Sequence, residues 1–233
     1  MTPEQLTGQT DTHLTDVLIG KKQFQVHHEV VRDLLELKKA AMKAGFNLCI
    51  ASGFRSFERQ AAIWNSKISG ERPILDSDSQ PIDATNLTEE QKVSAILRWS
   101  ALPGASRHHW GTDFDLYDAS SIPINTTLQL EPWEYLSGHQ HNFYVWLSSN
   151  LHHFRFYFPY SEERGGVAVE PWHVSHIRQS DVCISQLSVD LLRNQLEQRP
   201  ILAMDSVLSS LDSIYTQYIT NVANITNTTT EEP

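Results

Sequence analysis

Apolar residues recur at three- and four-residue spacing in several stretches of the chain, a pattern that predicts amphipathic helices. The clearest stretch is 26–44, where Val30 and Leu34 share one face and Gly45 follows the run. Further helices, the first two capped by Ser56 and Thr88, are predicted over residues 56–66, 88–99, 139–151, 185–198 and 201–220.

Shorter apolar or alternating segments predict β-strands. Residues 46–51 read FNLCIA and end at a Ser-Gly pair, as expected of a buried strand that delivers its last turn to a site. Other strands are predicted over residues 112–118, 154–158 and 167–170. Residues 70–86 lack periodicity, which predicts a long surface loop. Because strands and helices do not alternate regularly, the pattern favours an α+β fold.

The chain shows no internal repeat and no linker, so it is predicted to form one catalytic domain with appendages. Residues 1–22 are predicted to be an N-terminal extension and residues 23–180 the catalytic domain. Residues 181–220 are predicted to form helices that pack on the same domain, and the Asn/Thr-rich residues 221–233 a disordered tail.

Composition excludes several partners. The formal charge of −10 leaves no basic surface for nucleic acid, and no apolar run approaches the roughly 20 residues that span a bilayer. The N-terminus lacks a secretory signal, which predicts a cytoplasmic protein as the sequence stands, or a periplasmic or cell-wall-facing one if the chain was trimmed. Cys49 and Cys183 are isolated and are expected to be reduced, buried thiols rather than zinc ligands.

Two segments could hold a catalytic zinc ion, which needs three protein ligands and one open position. In the first segment His108 precedes Asp115 by seven residues, with Gly111 between them to allow a tight turn. The second segment is Glu170-Pro-Trp-His173, where the proline keeps Glu170 out of a helix. His173 would complete the ligand set, and Glu170 would act as the base for a zinc-bound water.

A third segment, SGFRS, places Arg55 just after the predicted buried strand. A guanidinium held there can bind a substrate carboxylate in a fork or stabilise an oxyanion beside zinc. An ordinary ion pair with Glu58, Asp113 or Asp115 is the alternative explanation for this arginine.

Together, SGFRS, SRHHWGTDFD and EPWH resemble the signature segments of the zinc D-alanyl-D-alanine carboxypeptidases of the VanY type. The resemblance covers residues 23–177 and implies a LAS/hedgehog-like metallopeptidase fold, a small antiparallel sheet flanked by helices, here with extra C-terminal helices. It implies one Zn²⁺ per chain and a peptidoglycan stem peptide or muropeptide as substrate. The resemblance gives His108, Asp115 and His173 as zinc ligands, Glu170 as catalytic base, Arg55 as catalytic and substrate-binding cation, and Ser106 and Gln60 as substrate-binding residues.

Several neighbouring residues leave alternatives open. The family usually has a small residue where this chain has Asp113, which could orient a ligand histidine or compete for the metal. Val174 replaces a frequent aromatic residue, which changes the expected pocket shape. His109 does not keep the ligand spacing and is expected not to bind metal. Trp172 is expected to form an apolar wall of the substrate pocket or to fill the core.

The resulting hypothesis is a metallo-carboxypeptidase that hydrolyses the bond before a C-terminal D-alanine of peptidoglycan stem peptides, with D,D or L,D specificity. One alternative is a lysin-type endopeptidase that cuts the L-Ala-D-Glu bond. Another is a non-enzymatic zinc-binding domain, which the presence of both Glu170 and Arg55 argues against.

Overall fold

The computed structural model describes residues 1–223. Residues 224–233, most of the tail predicted to be disordered, lie outside the described part. The strands are β1 (Leu14–Ile19), β2 (Lys22–His27), β3 (Leu48–Ser52), β4 (Asp113–Asp118), β5 (Phe156–Tyr157) and β6 (His173–His176). The helices are α1 (Pro3–Leu6), α2 (Val31–Lys43), α3 (Phe57–Ile68), α4 (Glu89–Leu97), α5 (Pro132–Leu136), α6 (His141–Asn150), α7 (Ile177–Gln186), α8 (Val189–Gln198), α9 (Met204–Ser209) and α10 (Leu211–Ile214). None of these helices is long and apolar enough to cross a membrane.

Two small antiparallel sheets organise the chain. Strands β1 and β2 form a two-stranded ribbon, in which Leu14 faces His27. The second sheet has the order β3-β4-β6-β5, and every neighbouring pair in it is antiparallel. Helices lie around both sheets, so the predicted α+β class with a small antiparallel sheet flanked by helices is confirmed.

Buried apolar side chains form two clusters. The sheet cluster packs α2 against the four-stranded sheet and includes Leu34, Phe114 and Val174. The helical cluster packs α3 against the C-terminal helices and includes Trp110 and Leu192. Because Trp110 and Phe114 belong to different clusters, the segment between them passes from one core to the other.

Three predicted helices are confirmed with small shifts at their ends, as α3, α4 and α6. Both predicted caps form, since the Ser56 hydroxyl accepts from the Arg59 amide and the Thr88 hydroxyl from the Gln91 amide. Gln91 also returns its side chain to the Thr88 backbone, which completes a capping box.

The first five residues of the helix predicted over 26–44 are not helical. Residues up to His27 belong to β2, where Val26 pairs with Thr15, and α2 begins only at Val31. The amide of Val30 bonds to the carbonyl of His27 and closes the turn between strand and helix. Val26 and His27 therefore pair with β1 and do not join the helix that their spacing predicted.

Three further predictions were wrong in detail. Residues 167–170 form no strand. The amide of Glu170 bonds to the carbonyl of Tyr160, which belongs to no strand, and Pro171 has no amide to extend the pairing. The predicted helix 201–220 is divided into α9, α10 and a π-helical turn, Tyr215–Ile219. The predicted helix 185–198 is likewise interrupted, since α7 ends at Gln186 and Ser188 caps α8.

Candidate metal centre and active site

A glycine shapes the turn that carries His108. This histidine lies in the 3₁₀ turn Arg107–Trp110, and Gly111 follows it with φ of 66° in the left-handed region. A Cβ on Gly111 would clash with the Leu14 side chain and would come within 2.9 Å of the His27 backbone nitrogen. The turn and the close approach of the β1–β2 ribbon therefore both require glycine.

Strand register brings Asp115 and His173 together. They are paired directly opposite each other on β4 and β6. The Nδ1 atom of His173 lies 3.4 Å from Asp115 Oδ1. From the preceding turn, the Nε2 atom of His108 reaches to 3.5 Å from Asp115 Oδ2. The aspartate thus lies close to both imidazoles, each of which presents one nitrogen to it.

These three residues fit a zinc ion. One donor atom of each lies within 4.8 Å of the others, and all three side chains are buried. Among the described residues, the Asp115 Oδ1 atom has no hydrogen-bond partner. A buried carboxylate oxygen without a partner is unfavourable, and a cation would satisfy it. Two imidazole nitrogens and one carboxylate oxygen are a donor set typical of catalytic zinc.

Asp113 occupies the other side of the His173 ring. Its Oδ1 atom lies 3.1 Å from His173 Nε2 and accepts a hydrogen bond of 2.7 Å from Arg107 Nε. The Thr112 hydroxyl donates to its Oδ2 atom at 2.6 Å. Of the two roles left open for Asp113, this placement supports orientation of the histidine, because its oxygens are engaged away from the donor cluster.

Glu170 lies beside the donor cluster. Its Oε2 atom is 3.2 Å from His173 Nδ1, the nitrogen that also faces Asp115. The side chain is 12% exposed, so one edge of the carboxylate remains accessible from the cleft. A carboxylate in this position can accept a proton from a water molecule held next to the donors.

The ionisable groups of the cluster shift one another's pKa values. Burial would lower the pKa of His173, but its contacts with Asp113, Glu170 and Asp115 raise it to about 10. Burial raises the pKa of Asp115 to about 6, opposed by His173 and reinforced by Glu170. Burial and the charge of Arg55 hold the pKa of His108 well below its usual value. Protons therefore compete with any cation for this site.

Arg55 reaches the same site from the end of β3. Its Nη1 atom donates to Gln60 Oε1 at 2.7 Å and its Nη2 atom to Ser52 Oγ at 2.9 Å. Burial lowers the pKa of Arg55, and the charges of Asp115 and Glu170 oppose this shift. The guanidinium lines the cleft beside the donor cluster without a direct ion pair to a carboxylate within the described chain.

The other residues expected to bind substrate differ in their exposure to the cleft. Ser106 and Trp172 line it, and the buried Ser106 hydroxyl has no partner among the described residues. Gln60 is fully buried instead, and its Nε2 atom donates to the Ala101 carbonyl at 2.6 Å. Gln60 therefore supports Arg55 from behind.

Two buried residues next to the site have functions in its architecture that the sequence did not indicate. His109 turns away from the donors and bonds to the Arg55 carbonyl at 2.6 Å and the Gly104 amide at 3.1 Å. Arg107 pairs with Asp113, and its Nη2 atom donates to Ser175 Oγ at 2.6 Å. The sequence carried one sign of the structural role of Arg107, which is a basic residue inside the motif that forms the buried metal site.

The site opens into a cleft of about 340 Å³. Helix α3, the loop after it and the segment before His173 contribute its walls, including Lys67, Arg72, Tyr160 and Trp172. A cleft of this size can enclose a short peptide rather than a folded chain.

The sequence resembles a known protein family and individual bacterial proteins. The model of the VanY family, described as D-alanyl-D-alanine carboxypeptidase, matches residues 23–179. An uncharacterised protein of Haemophilus influenzae is 36% identical over 121 residues, which are 51% of this chain and 92% of that protein. A D-alanyl-D-alanine carboxypeptidase of Enterococcus faecalis is 29% identical over 147 residues, or 62% of this chain and 45% of that protein.

Solved structures share the fold. VanYB in complex with D-alanine-D-alanine is 24% identical with a TM-score of 0.51, covering 82% of this chain and 91% of its own. A VanY D,D-pentapeptidase in complex with Zn(II) is 22% identical with a TM-score of 0.50, covering 85% and 91%. The LdcB LD-carboxypeptidase is 18% identical with a TM-score of 0.52, covering 84% and 77%. The fold is therefore the predicted LAS-type metallopeptidase fold.

Proposed function

The chain belongs to the VanY family of D-alanyl-D-alanine carboxypeptidases, and from this premise we propose that it is a zinc-dependent peptidase acting on peptidoglycan stem peptides. The bond hydrolysed is the one before a C-terminal D-alanine. The observation that carries this proposal is the buried group of His108, Asp115 and His173 with the Glu170 carboxylate at its edge.

Each ligand supplies one donor atom, and Glu170 stays outside the set. Zinc held by these residues would lower the pKa of a bound water to roughly 7. Glu170 accepts the proton of the attacking water and later delivers it to the leaving amine. Its position 3.2 Å from His173 Nδ1 keeps it within reach of the reacting atoms.

Arg55 and Ser106 recognise the C-terminal end of the peptide. The Arg55 guanidinium binds the terminal carboxylate of the substrate. Gln60 and Ser52 accept hydrogen bonds from it and fix its orientation. The unpartnered Ser106 hydroxyl supplies a further hydrogen bond, and Trp172 provides an apolar wall. A permanent, buried cation of this kind selects for peptides with a free C-terminus.

Asp113 and Arg107 keep the metal ligands in place. Asp113 accepts from the outer nitrogen of His173, which fixes the ring with Nδ1 facing the cleft. Arg107 neutralises Asp113 and holds it on β4. We also propose that residues 23–180 form the catalytic unit and that the helices of residues 181–220 support it.

The test is hydrolysis of defined muropeptides by the zinc-loaded protein. Tri-, tetra- and pentapeptide substrates are incubated with it, and mass spectrometry reads which residue is lost. Loss of one D-alanine from the pentapeptide marks D,D activity, and loss from the tetrapeptide marks L,D activity. Cleavage at L-Ala-D-Glu, including in peptides with a blocked C-terminus, would identify an endopeptidase instead.

Two controls connect the activity to the site. Glu170→Ala is expected to lose nearly all activity, whereas Glu197→Ala removes an exposed glutamate on α8 and is expected to retain it. Hydrolysis that survives EDTA, or a full rate in Glu170→Ala, would refute the mechanism.

A further inference from the structure

We propose that Lys67 and Arg72 form a second anion-binding subsite of the cleft, which takes a substrate carboxylate other than the one at Arg55. The inference rests on the proposed function and specifies its substrate class. The preferred peptides would carry a second free carboxylate some distance from their C-terminus.

Lys67 is a partly buried cation with a neutral partner. It lies in the last turn of α3, lines the cleft, and donates from Nζ to the Ser100 hydroxyl at 2.8 Å. Burial lowers its pKa, and the nearby charge of Arg72 lowers it further. Within residues 1–223, neither cation forms an ion pair with a carboxylate.

This arrangement is unusual in an acidic chain. The protein has 28 Asp plus Glu against 18 Lys plus Arg, so carboxylates are the commoner charge. A lysine that is withdrawn from water beside another cation is unfavourable unless an anion joins it. The hydrogen bond to Ser100 satisfies one donor of Lys67 but leaves its charge, beside the exposed Arg72 in the same wall, without a counterion. An anionic ligand accounts for both.

The spacing along α3 indicates how far apart the two anions would be. Gln60, which holds Arg55, and Lys67 are seven residues apart, and Ile63 between them also lines the cleft. At 1.5 Å per residue this separation is about 10 Å along the helix. An extended peptide covers that distance in about three residues. A glutamate three residues before the terminal D-alanine would place its free carboxylate near Lys67.

The experiment compares two pentapeptides that differ in one group. The first is L-Ala-γ-D-Glu-L-Lys-D-Ala-D-Ala, and the second carries a carboxamide in place of the free carboxylate of glutamate. With the zinc-loaded native protein, KM is expected to be about tenfold lower for the acid, as a charge-assisted hydrogen bond implies. Lys67→Met should abolish this preference, so that the KM values for the acid and the amide become similar.

Matched variants separate a binding role from a general effect of charge or folding. Lys67→Arg keeps a cation and should retain the preference for the acid. Arg72→Gln should lose part of it. Lys39→Met removes an exposed lysine from α2 and should change neither KM. Equal KM values of the native protein for both peptides, or an equal loss for both in Lys67→Met, would overturn the proposal.

Calorimetric titration of the same two peptides distinguishes this inference from the proposed function. Acid-selective binding that Lys67→Met abolishes, without hydrolysis, would support the subsite and refute the proposed function. Normal hydrolysis with no selectivity between the acid and the amide would support the proposed function and refute the subsite.

Discussion

At the scale of single residues, the His173 ring has a carboxylate on each side. Asp113 lies 3.1 Å from Nε2, while Asp115 and Glu170 lie 3.4 and 3.2 Å from Nδ1. An outer carboxylate fixes the tautomer of a ligand histidine and increases its basicity. We expect Asp113→Asn to weaken zinc binding by about 10–100-fold, measured by competition with a chromophoric chelator.

The exposed Asp181 on α7 provides a control for that substitution. Asp181→Asn changes the net charge equally and should leave zinc affinity unchanged. A folded Asp113→Asn protein with native zinc affinity would show that Asp113 does not orient the ligand.

Arg55 makes its contacts through two separate nitrogens of one planar group. Lysine cannot reproduce this fork, because its ammonium is a single point charge. We expect Arg55→Lys to reduce kcat/KM for D-alanine release by about 100-fold, in steady-state assays of the zinc-loaded protein. Arg59→Lys, on the exposed side of α3, should stay within twofold of native. Equal activity of the two variants would remove Arg55 from substrate recognition.

The spacing within each motif predicted which side chains gather at the site, because a short turn between His108 and Asp115 can bring both to one ion. The residues that hold those side chains in place were harder to predict from the sequence. Arg107 meets Asp113 and Ser175 only because β4 and β6 pair in one register. Gln60 was expected to contact substrate, yet its place behind Arg55 depends on how α3 packs.

At the scale of elements, the β1–β2 ribbon carries a buried histidine. Burial lowers the pKa of His27 to about 4, and the neighbouring His28 and His13 add to the shift. An unfolded histidine titrates near 6.5, so between these pH values the unfolded state binds a proton that the native state does not. Stability therefore falls as pH drops from about 6.5 to about 4, by up to about 1.4 kcal/mol per pH unit from this residue.

The variant His27→Gln tests this contribution. Urea unfolding at pH 7.5, 6 and 5 should show a smaller loss of stability on acidification than in the native protein. His153→Gln changes an exposed histidine and should retain the native slope. The same slope in all three proteins would contradict a contribution from His27.

The elements were predictable where local signals decided them. Caps at Ser56 and Thr88 fixed the start of two helices, since a hydroxyl at that position satisfies a free amide. The ribbon was missed although residues 23–27 alternate between polar and apolar after a Gly-Lys turn. Strand β6 begins at His173 because β4 offers its partner there, a non-local condition that periodicity does not contain.

At the scale of the whole molecule, the C-terminal helices complete the helical cluster. Leu192 of α8 is fully buried there, in the same cluster as Trp110 next to His108. We expect Leu192→Ala to lower the free energy of unfolding by about 2–5 kcal/mol, measured by urea denaturation. Leu202→Ala, where the side chain is 45% exposed, should cost much less. Equal losses would mean that α8 is not part of the cooperative core.

The three candidate ligands lie where the chain crosses between the two clusters. His108 lies two residues before Trp110 of the helical cluster, whereas Asp115 and His173 extend from strands of the sheet cluster. An ion bound by all three would join the two cores, and its binding free energy would add to folding. We expect EDTA to lower the midpoint of thermal unfolding and to broaden the transition seen by calorimetry. A sharp, unshifted transition would contradict this linkage. Under the proposed function, the ion that supports hydrolysis would also make the two cores unfold as one cooperative unit.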